Sequence, residues 1–467
     1  MTAPYLLPVP FWLYVYACAA TLLATFAILG YFFAQPAHEP SRATSVVQLP
    51  ATGAWSRVGR ATLAVLRTAS VLCLVLTVAS QFWGSPDPGL NFGMALFWSV
   101  FLLGFTYASA VVGDLFELIN PWRVLADWLG SVGADFSRAR VRYPAALGYY
   151  PAFAFYVALI WIELFVLQKP MTLGSILLTY SAITLCGAWV FGKAAWFRYA
   201  EVFSVFFRQI GSLAPIEYMP NAGGRTWRVR LRPFFSGALS ARPEHLGLIL
   251  FVLFMLASTS YDAIYDTEVW LNFYWKFLIV LAQPLWGTDI SKAQNGLMQG
   301  FLIYKRLGLL LSPFVYMALY LAVMWLMKKL TRTDLSVRQL ALDFITSLIP
   351  IAFVYNACHY YTLFLTQVQT LPRMALDPFA LGWDPLTLPY PTLWYLEMNI
   401  VWHSQVALIL FGHVVSVYLG HAIALRVFPS RRQAILSQVP LLVLMVAYTA
   451  IGLYILSLPL AVAQLRD

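Results

Sequence analysis

Trp402–His421 reads WHSQVALILFGHVVSVYLGH and contains no Asp, Glu, Lys or Arg. A helix of about 20 such residues is long enough to cross the hydrocarbon core of a bilayer. It nevertheless carries three histidines, His403, His413 and His421. Hydrocarbon offers an imidazole no hydrogen-bond partner, so this stretch decides the class of the fold and points to where its chemistry lies.

The rest of the chain agrees with a membrane-spanning reading. Of its 467 residues, 61% are hydrophobic and 11% charged, and the mean hydropathy is +0.72. Soluble domains run to about 45–50% apolar and about 25% charged residues. Phe, Trp and Tyr make up 16%, as suits many spans anchored at two interfaces. Cys18, Cys73, Cys186 and Cys358 all sit in apolar segments and read as buried thiols, so they report no redox compartment. The stretch MTAPYLLPVPFWLYVY has no basic segment before its apolar run, which argues against a cleaved signal peptide.

Hydropathy predicts an all-α polytopic membrane protein, a single domain over 1–467. About ten spans are expected, at 10–33, 63–82, 92–112, 146–167, 173–196, 246–261, 309–327, 340–365, 400–427 and 440–458. Phe273–Trp286 is apolar but interrupted by Pro284, and reads as an interfacial or re-entrant segment. With the amino terminus outside, the odd-numbered loops and their flanks collect the basic residues. Of the 30 Lys and Arg, only Lys169, Lys276, Lys292, Lys305, Arg306, Arg373 and Arg466 then fall elsewhere. That is the positive-inside pattern of a bacterial inner-membrane protein with both termini on the outer side. It accounts for the net charge of +10 without nucleic acid.

Two loops are expected to be ordered. The basic loop 197–245 contains RTWRVRLRP (Arg225–Pro233), where Arg228, Arg230 and Arg232 alternate with Trp227, Val229 and Leu231. That alternation predicts a cytoplasmic hairpin strand with one cationic face resting on anionic lipid headgroups. The loop 370–398, rich in Pro, Trp and Asp, reads as a cap over the outer face. No internal repeat is evident, which argues against an inverted-repeat transporter.

At about 100° per residue, Gly412, Ser416 and Gly420 form a small-residue stripe that invites a neighbouring helix. His403, His413 and His421 fall beside that stripe, with Asn399 between. His403 and His421 lie about 27 Å apart along the axis, so they cannot serve one mononuclear site. In the eighth span Asn356, His359, Tyr360 and Gln367 share a face, and His359 lies at a depth similar to His403. Glu163 in the fourth span and Asp262 at the end of the sixth supply acids in the same outer half. The expected site therefore joins His359 and His403 as metal ligands with Glu163 and Asp262 as acid–base groups. The ligand types suit a divalent metal such as zinc. One haem b between His359 and His403 is the alternative; the histidine spacings do not provide for two stacked haems. His413 reads as an interhelical hydrogen bonder, and His421 as a partner for headgroups or Asp343. On the inner side, Asp114 and Glu117 share a face before Asn120-Pro121 ends the turn and a helix begins over Trp122–Leu129. No Walker, Rossmann, CxxC, HExxH or GxSxG pattern is present.

Several stretches carry a resemblance: PVPFWLYVYACAATLLATFAILG, GDLFELINPWRVLADW, CGAWVFGKAAWFRYAEVFSVFFRQIGSLAPI, STSYDAIYDTEVW, NACHYYTLFLTQVQ, GHVVSVYLGHAIALR and SQVPLLVLMVAYTAIGLYIL. Together they resemble a family of bacterial polytopic membrane proteins, some of whose members are labelled fenitrothion hydrolase. The resemblance places His359, His413 and His421 in recurring motifs. Members begin with an Ala-His-Gly stretch, whereas this chain begins MTAPYLLPVPFW and lacks that histidine. Metal-assisted hydrolysis of apolar, phosphotriester-like substrates is the activity the resemblance implies. A transporter, or a membrane-anchor subunit of a haem- or metal-binding redox complex with membrane or periplasmic partner subunits, is the competing expectation.

Overall fold

The computed structural model describes residues 10–32, 46–47, 54–166, 169–220, 227–280, 290–383 and 396–458. The carboxy-terminal part of the expected re-entrant segment and residues 384–395 of the 370–398 cap lie outside these residues.

The chain runs through α1 (Phe11–Phe32), a short strand β1 (Val46–Val47), α2 (Ala54–Trp83) and α3 (Phe92–Val112). The middle of α3, Leu96–Gly104, is wound as a π-helix. Two helices follow on the same end of the bundle, α4 (Leu115–Ile119) and α5 (Pro121–Ser131). Then come α6 (Tyr150–Phe165), α7 (Pro170–Phe191), α8 (Lys193–Tyr199) and α9 (Val202–Gly211). Strands β2 (Ile216–Pro220) and β3 (Trp227–Leu231) precede α10 (Ser236–Ser240) and α11 (Leu246–Ile264). Helix α12 covers Glu268–Asn272 and continues as a π-helical turn over Phe273–Leu278. The long helices α13 (Ile290–Thr331), α14 (Val337–Leu376), α15 (Met398–Val427) and α16 (Arg431–Ser457) complete the chain.

Among the described residues, nine helices are long and apolar enough to cross a membrane: α1, α2, α3, α7, α11, α13, α14, α15 and α16. The remaining expected span, the fourth at 146–167, is α6. At 16 residues it rises only about 24 Å, short of the roughly 30 Å hydrocarbon core. Other boundaries move outward. The seventh span, expected at 309–327, belongs to a 42-residue helix beginning at Ile290, because Ser291–Asn295 is polar but contains no helix breaker. The eighth extends to Leu376 and takes a 3-10 turn at Ile345–Leu348, where Pro350 removes one backbone donor from the ladder.

The core is organised around α11. It is apolar all round, and 83% of its most hydrophobic window is buried, so protein and not lipid surrounds it. Helices α6, α13 and α14 pack along it. The loop 197–245 is more than a basic connector. Its helix α9 buries Phe203, Phe207 and Ile210 in the main core, an apolar face that the Arg residues around it obscured. The hairpin forms as β2 against β3, antiparallel with Glu217 opposite Arg230, and β1 adds on the other edge of β3. Glu217 accepts from Arg230 Nε at 2.7 Å and pairs with Arg232 Nη1 at 3.4 Å, so the expected cationic face carries its own counter-charge and leaves Arg228 exposed.

The small-residue stripe of α15 does meet a neighbour. A Cβ added at Gly412 would approach Val354 Cγ2 of α14 at 2.2 Å. Gly412→Ala must therefore push α14 and α15 apart. A destabilisation of about 1–3 kcal/mol is expected from such overpacking, read as a lower melting temperature of the detergent-purified chain.

Candidate functional site

The end of α11 brings distant carboxyl, imidazole and phenol groups together. Asp262 Oδ2 accepts a hydrogen bond from Tyr360 Oη at 2.6 Å and lies 2.7 Å from His359 Nε2. Tyr360 and His359 are neighbours on α14 with rings at a T-shaped 4.5 Å, so one carboxylate oxygen gathers both. Glu163, near the end of α6, lies within the field of Asp262 and hydrogen-bonds Tyr360. The pair Asp262–His359 is largely sheltered, with side-chain exposures of 15% and 23%.

Two cavities open on this cluster. The larger, about 280 Å³, is lined by Met94, Trp98, Leu102, Leu363 and Met374 with Glu163, Tyr360, Gln367 and Thr370 as its polar wall. Gln367 Oε1 in turn accepts from Ser99 of the π-helical stretch. The π-helical winding of α3 accompanies this wall, as such irregular turns often do at ligand sites. The smaller, about 50 Å³, shares Glu163 and Tyr360 and adds Ser258, Thr259 and Asn356. No Lys or Arg is among the described residues that line either cavity.

Of the residues named from sequence, the structure places Glu163 and Asn356 in the cavity walls and joins Asp262 and His359 to them through Tyr360. It directs His403 elsewhere. His403 Nδ1 is 2.7 Å from Asn399 O of its own helix, and Nε2 is 3.3 Å from Tyr14 Oη of α1. The two imidazoles expected at one ion are thus engaged by different helices, His359 by α11 and His403 by α1. Similar depth sets only the height of a side chain, and the rotation of α15 about its axis turns His403 towards α1. Among the described residues no group of three or more His, Cys, Asp or Glu stands ready to hold a metal ion. His413 is tied through Nδ1 to Ile409 O at 2.8 Å, within its own helix. His421 Nδ1 meets Gln438 Oε1 of α16 at 3.1 Å.

Asp114 and Glu117 form a separate cluster beyond α3. Asp114 caps α4, accepting from Glu117 N at 3.1 Å, and Glu117 accepts from Arg123 Nη1 at 2.8 Å. Burial, reinforced by the neighbouring Glu117, pushes the Asp114 carboxyl up to about 7. Burial also opposes ionisation of Glu117, but the Arg123 guanidinium outweighs it and holds that carboxyl below its ordinary range. The helix expected over Trp122–Leu129 is α5, with Asn120 accepting from Trp122 N at 2.9 Å and Arg123 N at 3.1 Å.

Sequence reading missed two participants. Tyr360 was placed on the right face but given no role, although it is the residue that touches both acids. Glu201, in AEVFS, passed unnoticed, yet it is fully buried and caps α9 through Phe203 N and Ser204 N at 3.0 and 2.7 Å. It also accepts from Tyr180 Oη and from Asn120 Nδ2, the latter at 3.2 Å, joining two motifs far apart in sequence. Its position just before an apolar helical run was the available signal for a cap.

Comparison with known proteins found no matching family model, no matching curated protein and no matching solved structure.

Proposed function

We propose that this multi-pass membrane protein is a transporter whose cavity between α3, α6, α11 and α14 binds a ligand bearing positive charge. The observation that carries this reading is the pairing of Glu163 and Asp262 across Tyr360, at a cavity with no basic residue among its described lining. Two carboxyl groups in a low-dielectric site repel one another, and a cationic occupant relieves that repulsion. The apolar wall of Met94, Trp98, Leu102 and Leu363 suits an apolar body behind the charge, and Trp98 offers a ring face to it. Metal-assisted hydrolysis, the activity implied by the family resemblance, would need His359 and His403 at one ion. Their engagement by different helices favours transport.

We assign the chain to a bacterial inner membrane with both termini and the cavity on the outer side, α6 serving as a short tenth crossing that keeps the span count even. The distribution of Lys and Arg supports this orientation, which also sets the β2–β3 hairpin against anionic headgroups. Calorimetric titration of the detergent-purified chain with tetrapropylammonium tests the ligand class. Glu163→Gln is expected to weaken binding at least about tenfold, which is roughly 1.4 kcal/mol. Equal affinity in the variant and the parent would remove the basis for the reading.

A further inference from the structure

Five helices meet around one tyrosine in the middle of the bundle. Tyr448 of α16 shares a 2.8 Å hydrogen bond with Ser260 of α11. Its ring lies 6.0 Å from Tyr316 of α13, 5.8 Å from Tyr355 of α14 and 6.2 Å from the imidazole of His413 on α15. The Nδ1 of His413 faces the Ile409 carbonyl, which can only accept, so Nδ1 carries the hydrogen. In the neutral ring Nε2 then presents a lone pair. That nitrogen, the Tyr355 hydroxyl and the Ser416 hydroxyl are buried with no hydrogen-bond partner among the described residues. His413 is 1% exposed, Tyr355 3% and Ser416 0%.

An unmatched buried polar group costs about 1–3 kcal/mol, and two beside one ring, His413 Nε2 and the Tyr355 hydroxyl, would be a heavy burden without a bridging species. An acceptor nitrogen and the Tyr355 hydroxyl flanking the same ring, with the Ser260–Tyr448 pair beside them, are the partners a buried water requires. The junction lies next along the same two helices to the smaller acidic cavity. Thr259 and Asn356 line that cavity, and they are the chain neighbours of Ser260 and Tyr355. In the other direction His421, hydrogen-bonded to Gln438, lies about 12 Å farther along α15.

We infer that the junction around Tyr448 is a proton relay, in which buried water links the Ser260–Tyr448 pair to His413 Nε2, with His421 as the next station. A proton delivered along the water adds to Nε2 and converts the imidazole to imidazolium. It leaves from the same nitrogen to the next water, while Nδ1 keeps its bond to Ile409. No electron moves and nothing is consumed. The relay starts at the cavity of the proposed transport site but does not depend on which ligand that cavity takes.

The test is proton flux into proteoliposomes of the full chain, with a pH-sensitive dye inside, an imposed pH gradient and valinomycin to clamp the potential. The parent is expected to acidify the lumen well above empty liposomes, and His413→Phe to lose at least tenfold of that flux. Tyr355→Phe removes only an unmatched hydroxyl, so it keeps the fold, and it is expected to lose at least threefold. A parent flux equal to that of empty liposomes, or undiminished flux in Tyr355→Phe, would overturn the relay. Parent-like tetrapropylammonium affinity in Glu163→Gln, with the proton flux behaving as expected, would count against the ligand reading alone.

Discussion

Asp262→Ala is expected to weaken tetrapropylammonium binding by about a hundredfold, roughly 2.7 kcal/mol, the largest functional effect of any single change at the cavity. The substitution removes one of the two acids and also the shared acceptor of His359 and Tyr360. Both side chains are then free to turn, so the cavity loses shape as well as charge. Asp262→Asn separates the two contributions. An amide still offers Tyr360 an acceptor oxygen, and the loss should shrink to about tenfold, the size expected of charge alone. Calorimetry on both variants checks this. Asparagine and alanine behaving alike would assign the whole effect to charge, and parent-like affinity in Asp262→Ala would dismiss the site.

Glu201→Ala should have the largest effect on stability, about 3–5 kcal/mol. A lost helix cap contributes about 1 kcal/mol. The remainder comes from Tyr180, whose acceptor would be gone, at about 1–3 kcal/mol, and from Asn120, whose amide keeps only its 3.0 Å bond to Ser204, at about 1 kcal/mol. Glu201→Gln keeps an acceptor oxygen for the cap and should recover a good part of the loss. Equilibrium unfolding in mixed micelles, comparing the two variants with the parent, measures it. An alanine variant within about 1 kcal/mol of the parent would show that the cap and its two partners are replaced by solvent.

How much of this was legible before folding differs sharply between elements. The run WHSQVALILFGHVVSVYLGH announced a span by composition alone, and Met398–Val427 contains it. The helix after Asn120-Pro121 was equally visible, since a side-chain cap and a proline at the first turn act within a few residues. The fourth span came out shorter than expected, because hydropathy averaged over a window does not locate where a helix starts and stops. The acidic cavity was half legible. Glu163, Asp262 and His359 stand out as ionisable groups in apolar segments, which is an expensive placement that invites a role. Their partners did not stand out.

Hydropathy is a local and nearly additive property, so the letters alone settled that this is a helical, multi-pass membrane protein and roughly where its helices run. Periodicity went one step further and put Asn356, His359 and Tyr360 on one face. Which helix that face meets is a different kind of fact. It depends on how the long helices and the short ones pack and cross, and the energies that choose among packings are spread over the whole core. Tertiary structure alone therefore turned His359 to Asp262 and His403 to Tyr14, and set His413 beside Tyr448. A helical wheel states the direction in which a side chain leaves its axis, but contains nothing about what is waiting there.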